Sequence, residues 1–199
     1  MRIAVAIYFS RLFPREAVGH CSGMKMSLTD RLCTRCGLCC DGSLFADVEL
    51  SGAVEAAGLE AMGLEIEEDD AGGGLLVQPC GALQGGRCGI YAHRPKCCRT
   101  FECGLLRDVR RGAVDVERAE EYIAEVLKRV ARVRELASAL GQRDACLPLK
   151  ERCVEALALA DEAVVAPALK RQRDELEAEM AAVEELMRRR FLGGKSRSS

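Results

Sequence analysis

From residue 105 onward, apolar side chains recur at steps of three and four: Ala119, Tyr122, Ile123, Val126, Val130, Val133, Ala137 and Leu140. That period places them on one face of a helix from about residue 116 to 140, with Asp115 as its N-cap and Gly141 as its stop. Pro148 and Pro167 sit near the starts of two further helices, one carrying Val154 and Leu157, the other Leu169, Leu176, Met180, Val183 and Met187. Proline suits a first helical turn, where its missing N–H would have had no partner. Antiparallel helices, packed on one another or on the preceding segment, are predicted.

Before residue 105 the pattern is shorter and broken. Residues 44–50 alternate well enough for a strand, Ser51 can cap a helix over about 52–62, and Gly72, Gly73 and Gly74 make a loop. Leu75 to Gln78 reads as a second strand, and residues 84–87 as a turn leading into Cys88. Little here builds a conventional core, so this segment is expected to draw folding energy from bound metal. The fold class that follows is α+β, mostly α: a small metal-stapled, cysteine-rich module followed by a helical half. By composition, residues 1–32 form an uncertain N-terminal lead, with Met24 and Met26 as alternative starts. Residues 33–104 form the cysteine-cluster module, 105–192 the helical region and 193–199 a disordered tail.

Charge narrows the classes. With 31 acidic against 29 basic residues the net charge is −2, which argues against a dedicated polyanion binder. Tryptophan is absent and aromatics are scarce, so stacking platforms for nucleic acid are not expected. The apolar start at residues 1–13 is interrupted by Arg11 and lacks a cleavage-site pattern, and no stretch approaches the roughly 18 to 20 apolar residues of a membrane span. A soluble, cytoplasmic protein without membrane association is expected. In that reducing compartment clustered cysteines mean metal more often than disulfide.

Nine of the twelve cysteines fall between Cys33 and Cys103, and Cys33, Cys36 and Cys39 are spaced as a tight triple. Three thiolates at that spacing, completed by a remote fourth, are how ferredoxin-type clusters are held. Zinc ribbons usually present two Cys-x2-Cys pairs, and a second pair is missing, which tilts the reading to iron and sulfide over zinc. Cys80, Cys88, Cys98 and Cys103 can supply the remaining ligands in either case. Cys39 and Cys40 are neighbours, with Cα atoms about 3.8 Å apart and side chains that diverge, so the two do not serve the same ion; the same holds for Cys97 and Cys98. Cys146 and Cys153 stand near apolar helical positions and read as small core residues. Arg94 and Arg99 flank the last cysteines and are candidates for offsetting the negative charge of a thiolate centre. Tyr91 and Phe101 read as packing walls around it, and His93 as a bystander.

Cys33-x2-Cys36-Gly-x-Cys39-Cys40, Pro79-Cys80-x-x-Leu83 and Cys88-x-Ile90-Tyr91-x-x-Arg94-Pro95-x-x-Cys98-Arg99-x-Phe101 together resemble the YkgJ-type cysteine-cluster family, described as zinc- or iron-chelating. The resemblance implies Cys33, Cys36, Cys39, Cys40, Cys80, Cys88 and Cys98 as metal ligands, with Cys103 as an eighth, and leaves Cys97 on a variable position. A similar motif occurs in flagellin lysine methylases, which implies methyl transfer as one role. Three functions are therefore expected to compete. The first is an iron–sulfur protein with a redox role, the second a non-catalytic zinc-stabilised adaptor whose C-terminal helices bind a protein partner, and the third a cluster-dependent methyltransferase.

Overall fold

The computed structural model describes residues 27–162 and 167–193. Residues 1–26, most of the lead, and 194–199, most of the expected tail, lie outside the described residues. The fold is α+β and mostly α, as the patterning predicts.

Three helices build the main core: α5 (Val116–Ala139), α6 (Leu149–Glu162) and α7 (Pro167–Arg190). Asp115 caps α5 by accepting the Arg118 N–H at 2.6 Å. Its buried face is the expected stripe with Leu136 added, while Tyr122 is only half-buried. On α6 the expectation fails for Val154, which is 60% exposed; Leu149, Cys153, Ala156 and Ala160 face the core instead. Pro148 starts the turn such that positions 149, 153, 156 and 160, not 154, point inward. Leu176, Val183 and Met187 of α7 complete the bundle.

A helix that the patterning missed, α1 (Leu28–Cys36), packs on α5. Ser27 caps it, its side chain accepting the Asp30 N–H, and Gly37 ends it at φ 70°, a left-handed conformation open to glycine. Its Leu32 and the following Leu38 are buried in the same core as the three long helices. Arg31 bridges to Glu120 at 2.8 Å and Arg134 of α5 donates to Asp41 Oδ2 at 3.1 Å, so the cysteine-bearing loop is fastened to the bundle. Leu149 N–H donates to Gly42 O at 2.8 Å, tying that loop to the start of α6.

Beside this core lies a three-stranded antiparallel sheet in the order β1 (Asp47–Glu49), β3 (Gly74–Val77), β2 (Ile66–Glu68). The helix α2 (Ala53–Glu60) packs on it. Gly52, not Ser51, is the N-cap of α2; the Ser51 backbone N–H is instead held by Glu55 Oε2 at 2.8 Å. The third glycine of the expected loop, Gly74, opens β3. A two-stranded hairpin, β4 (Leu83–Gln84) and β5 (Arg87–Cys88), turns through Gly85 and Gly86, both at positive φ as a two-residue hairpin turn requires. A Cβ at Gly86 would lie 2.7 Å from Thr34 O, so glycine lets the hairpin sit directly on α1. Two short helices follow, α3 (Lys96–Thr100) and α4 (Gly104–Arg110). No helix among the described residues is long and apolar enough to cross a membrane.

Candidate metal centre

The triple begins on regular structure and leaves it. Cys33 and Cys36 occupy the last turn of α1; Gly37 then reverses the chain, accepting the Cys40 N–H at 2.8 Å and the Asp41 N–H at 3.0 Å. Leu38 is fully buried in the helical core and anchors that turn, which displays Cys39 and Cys40. Cys103 arrives from the other side as the N-cap of α4, where its Sγ accepts the Leu106 N–H at 3.4 Å.

These four thiols feel one another. Burial pushes the Cys36 thiol up to about 12, the Leu38 N–H donated to sulfur opposes this, and the charges of Cys103 and Cys33 add to it. Burial raises Cys39 further, followed by Cys36, Cys103, Cys40 and Cys33. Cys33 is exposed as a residue, yet the atoms packed around its sulfur raise it, Cys103 adds to the shift, and Arg94 and Arg110 oppose it. Cys103 is raised by burial and held back by N–H donors of α4 and by Arg107.

A different group forms around Cys40. Burial pushes it up to about 11, with Cys80 and then Cys88 as the strongest charges acting on it. Cys80 is raised by burial and by Cys88, against an N–H donated by Ala82. Burial takes Cys98 up to about 12, followed by Cys97, Cys40 and Cys80. Cys40 also acts on Cys39, and Cys33 on Cys40, so the thiols of the α1 end and those beside the sheet are neighbours.

The eight expected cysteines lie near enough for several to act electrostatically on one another, and Cys97 hydrogen-bonds Cys98. Among the described residues no three His, Cys, Asp or Glu side chains already converge on one ion-sized point. Closing on metal is left to side-chain rotation upon a gathered backbone. The donor set fits zinc or iron: thiolates only, from loops and helix ends, with backbone N–H groups donated to Cys36, Cys80 and Cys103. Raised thiol pKa values mean that metal must displace protons on binding.

Of the two arginines expected at the site, Arg94 acts on Cys33, and its guanidinium lies 3.8 Å from the Tyr91 ring centroid. Arg99 is exposed and acts on Glu55. Arg107 and Arg110, which sequence reasoning missed, act on Cys103 and Cys33; the signal available was their place one and two turns into the helix that Cys103 caps. Tyr91 and Phe101 are 49% and 42% exposed, so they are not closed walls. Tyr91 donates to Asp30 at 3.3 Å, and Phe101 meets Phe45 edge-on at 5.2 Å. Cys153 is buried as expected, but Cys146 is exposed because it lies in the loop ahead of α6. Two surface depressions, of about 380 Å³ beside α4 and α7 and about 290 Å³ beside α2 and α3, are lined by no thiol.

Fold and site together define a helical protein with a cysteine-cluster module. Residues 32–121 match the family model CxxCxxCC, described as "Putative zinc- or iron-chelating domain", for which YkgJ-type is a family-level label; this part of the chain is similar to that domain. The match bears out the resemblance read from the motifs and supports metal binding without choosing the metal. No curated protein and no solved structure matches the chain.

Proposed function

We propose that the chain is an iron–sulfur protein that holds a cuboidal cluster on Cys33, Cys36, Cys39 and Cys103 and has a redox role. The observation that carries this reading is the grouping itself. Three thiols at three-residue steps stand at the end of α1 and in the turn after it, and the remote fourth that acts on them is Cys103. That is the ligand arrangement of ferredoxin-type clusters. When bound, such a cluster accepts and returns one electron at a time.

The residues of the chain have defined tasks around it. Leu38 N–H and the first N–H groups of α4 donate to the sulfurs of Cys36 and Cys103, offsetting thiolate charge. Arg94, Arg107 and Arg110 bring positive charge to the same side. Cys33, at the surface, gives the shortest route for an electron to a docked protein.

One observation favours a second reading, a zinc-held adaptor: the core beside the sheet is small, with Leu59, Leu64, Leu76 and Ala82 buried and Val48, Leu50, Ile66 and Ile90 packed around them, so a metal cross-link would add to its stability. Methyl transfer draws on the motif resemblance alone. The deciding experiment is an absorbance spectrum with metal and sulfide analysis on the full chain purified without oxygen. A brown protein with iron and acid-labile sulfide in comparable amounts, bleached by dithionite, supports the cluster. A colourless protein with stoichiometric zinc overturns it in favour of the adaptor.

A further inference from the structure

Where the end of α7 meets the start of α4, backbone packs on backbone. Gly104 N–H donates to Phe191 O at 2.6 Å, and a Cβ at Gly104 would lie 3.0 Å from Arg190 O and 3.1 Å from Gly193 N, so glycine permits the approach. Gly104 and Gly193 line a cavity of about 380 Å³ together with Arg107, Asp108 and Arg111 on the α4 side and Arg189 and Arg190 on the α7 side. Four arginines thus line it against one aspartate. Asp108 Oδ1 pairs with Arg111 at 2.7 Å, and Glu185 Oε1, from outside the cavity, pairs with Arg189 at 3.0 Å. Arg107 and Arg190 pair with no carboxylate among the described residues. Both are held in place all the same. The Arg190 guanidinium lies 4.1 Å from the Tyr122 ring centroid, and Arg107 Nη2 lies where a Cβ at Gly193 would approach to 2.9 Å.

We propose that this cavity binds a small, multiply charged phosphate of about the size of pyrophosphate. The site contains no thiol and does not depend on the metal that the cysteines hold. Two guanidinium groups without a carboxylate, positioned by packing before any ligand arrives, supply the charge at little ordering cost. The ligand has to accept hydrogen bonds from the α4 side and the α7 side at once. A phosphate offers oxygens in several directions, whereas a planar carboxylate is filled by one guanidinium fork. The volume falls in the lower part of the range of small-molecule sites, about 300–1,000 Å³. No aromatic side chain lines the cavity, so a nucleobase would find nothing to stack on. The net charge of −2 on the whole chain is no obstacle, because residues 188–190 are consecutive arginines and the positive charge is local.

The test is isothermal titration calorimetry of the full chain with inorganic pyrophosphate at constant ionic strength. Saturable one-to-one binding is expected, and Arg190→Gln should weaken it by about tenfold or more, the cost of one charge-assisted hydrogen bond. Arg190→Lys, which keeps the charge and loses the fork, should fall between the two. Arg107→Gln should weaken binding as Arg190→Gln does, while Arg132→Gln, outside the cavity on α5, should leave it unchanged. Thermal melting without pyrophosphate separates lost binding from lost fold; should Arg190→Gln melt early, Arg107→Gln, at an exposed position, decides in its place. Equal binding by the unsubstituted chain and both cavity variants would overturn the proposal, and so would equal affinity for malonate. Heat that tracks iron or zinc released to pyrophosphate, undiminished in Arg190→Gln, would place the anion on the metal and overturn it too. A short oligonucleotide bound more tightly than pyrophosphate, and weakened as much by Arg132→Gln as by Arg190→Gln, would show a diffuse basic surface instead of this site.

Discussion

In the helical half, α5, α6 and α7 bury Val126, Val133, Ala156, Leu176 and Val183 completely, whereas the sheet beside the cysteines encloses only Leu59, Leu64, Leu76 and Ala82. The first region has the larger apolar burial; the second holds its thiols on turns and helix ends, and on the proposed reading draws stability from the metal they bind. The boundary is not a seam, because α1 and Leu38 are part of the helical core while carrying or flanking three of the thiols. If metal supports the second region as proposed, the two should respond differently to its removal.

The largest expected effect comes from stripping metal with a strong chelator under reducing conditions. The segment from Cys40 to Cys103 should become the preferred site of protease cleavage while the far-ultraviolet helical signal largely persists. A single cooperative loss of all helix would break the comparison. Next in size is Leu176→Ala on α7, where the side chain is fully buried; it should lower stability by about 2–5 kcal/mol in urea unfolding, whether or not metal is present.

A smaller effect tests the join. Arg134→Ala removes the donor shared by Asp41 O, Asp41 Oδ2 and Ser43 Oγ at 3.1–3.2 Å. It should cost about 1 kcal/mol and speed metal release to a chelator, whereas removing an exposed pair such as Arg118–Glu121 should change neither. The smallest effect separates two cysteines. Iodoacetamide at neutral pH should modify exposed Cys146 well before buried Cys153. Burial pushes the Cys153 thiol up to about 11 from 9.0. A pKa raised by folding means that the thiol's contribution is fully present below pH 9 and is lost as pH rises to about 11. The stability advantage of the unsubstituted chain over Cys153→Ala should shrink across that window, as followed by urea midpoints.

Much of the helical half was legible because a period of three and four residues survives packing: Asp115 caps α5 and Pro148 and Pro167 stand at the starts of α6 and α7. Val154 misled because periodicity gives a face only when its phase is known, and the phase of α6 comes from packing on α5 and α7. The helix α1 was missed because three of its nine residues are charged and two are cysteines, which masked the single buried Leu32. Near the cysteines, the spacing alone named the thiols but could not group them, since thiols 40 residues apart are joined only by the chain path.

The sequence by itself determined the mostly helical class and the similarity of the cysteine-rich segment to a zinc- or iron-chelating domain, because local periodicity and close cysteine spacing are properties of neighbouring residues. Tertiary structure alone decided that Cys103 comes near the α1 thiols, that the Cys80 N–H meets Cys40 O, and that Arg107 and Arg110 bring positive charge near Cys103 and Cys33. The physical reason is that electrostatic partners are chosen by distance through space, which is set by the buried contacts of Leu32 and Leu38 on the bundle and by the hairpin lying against α1.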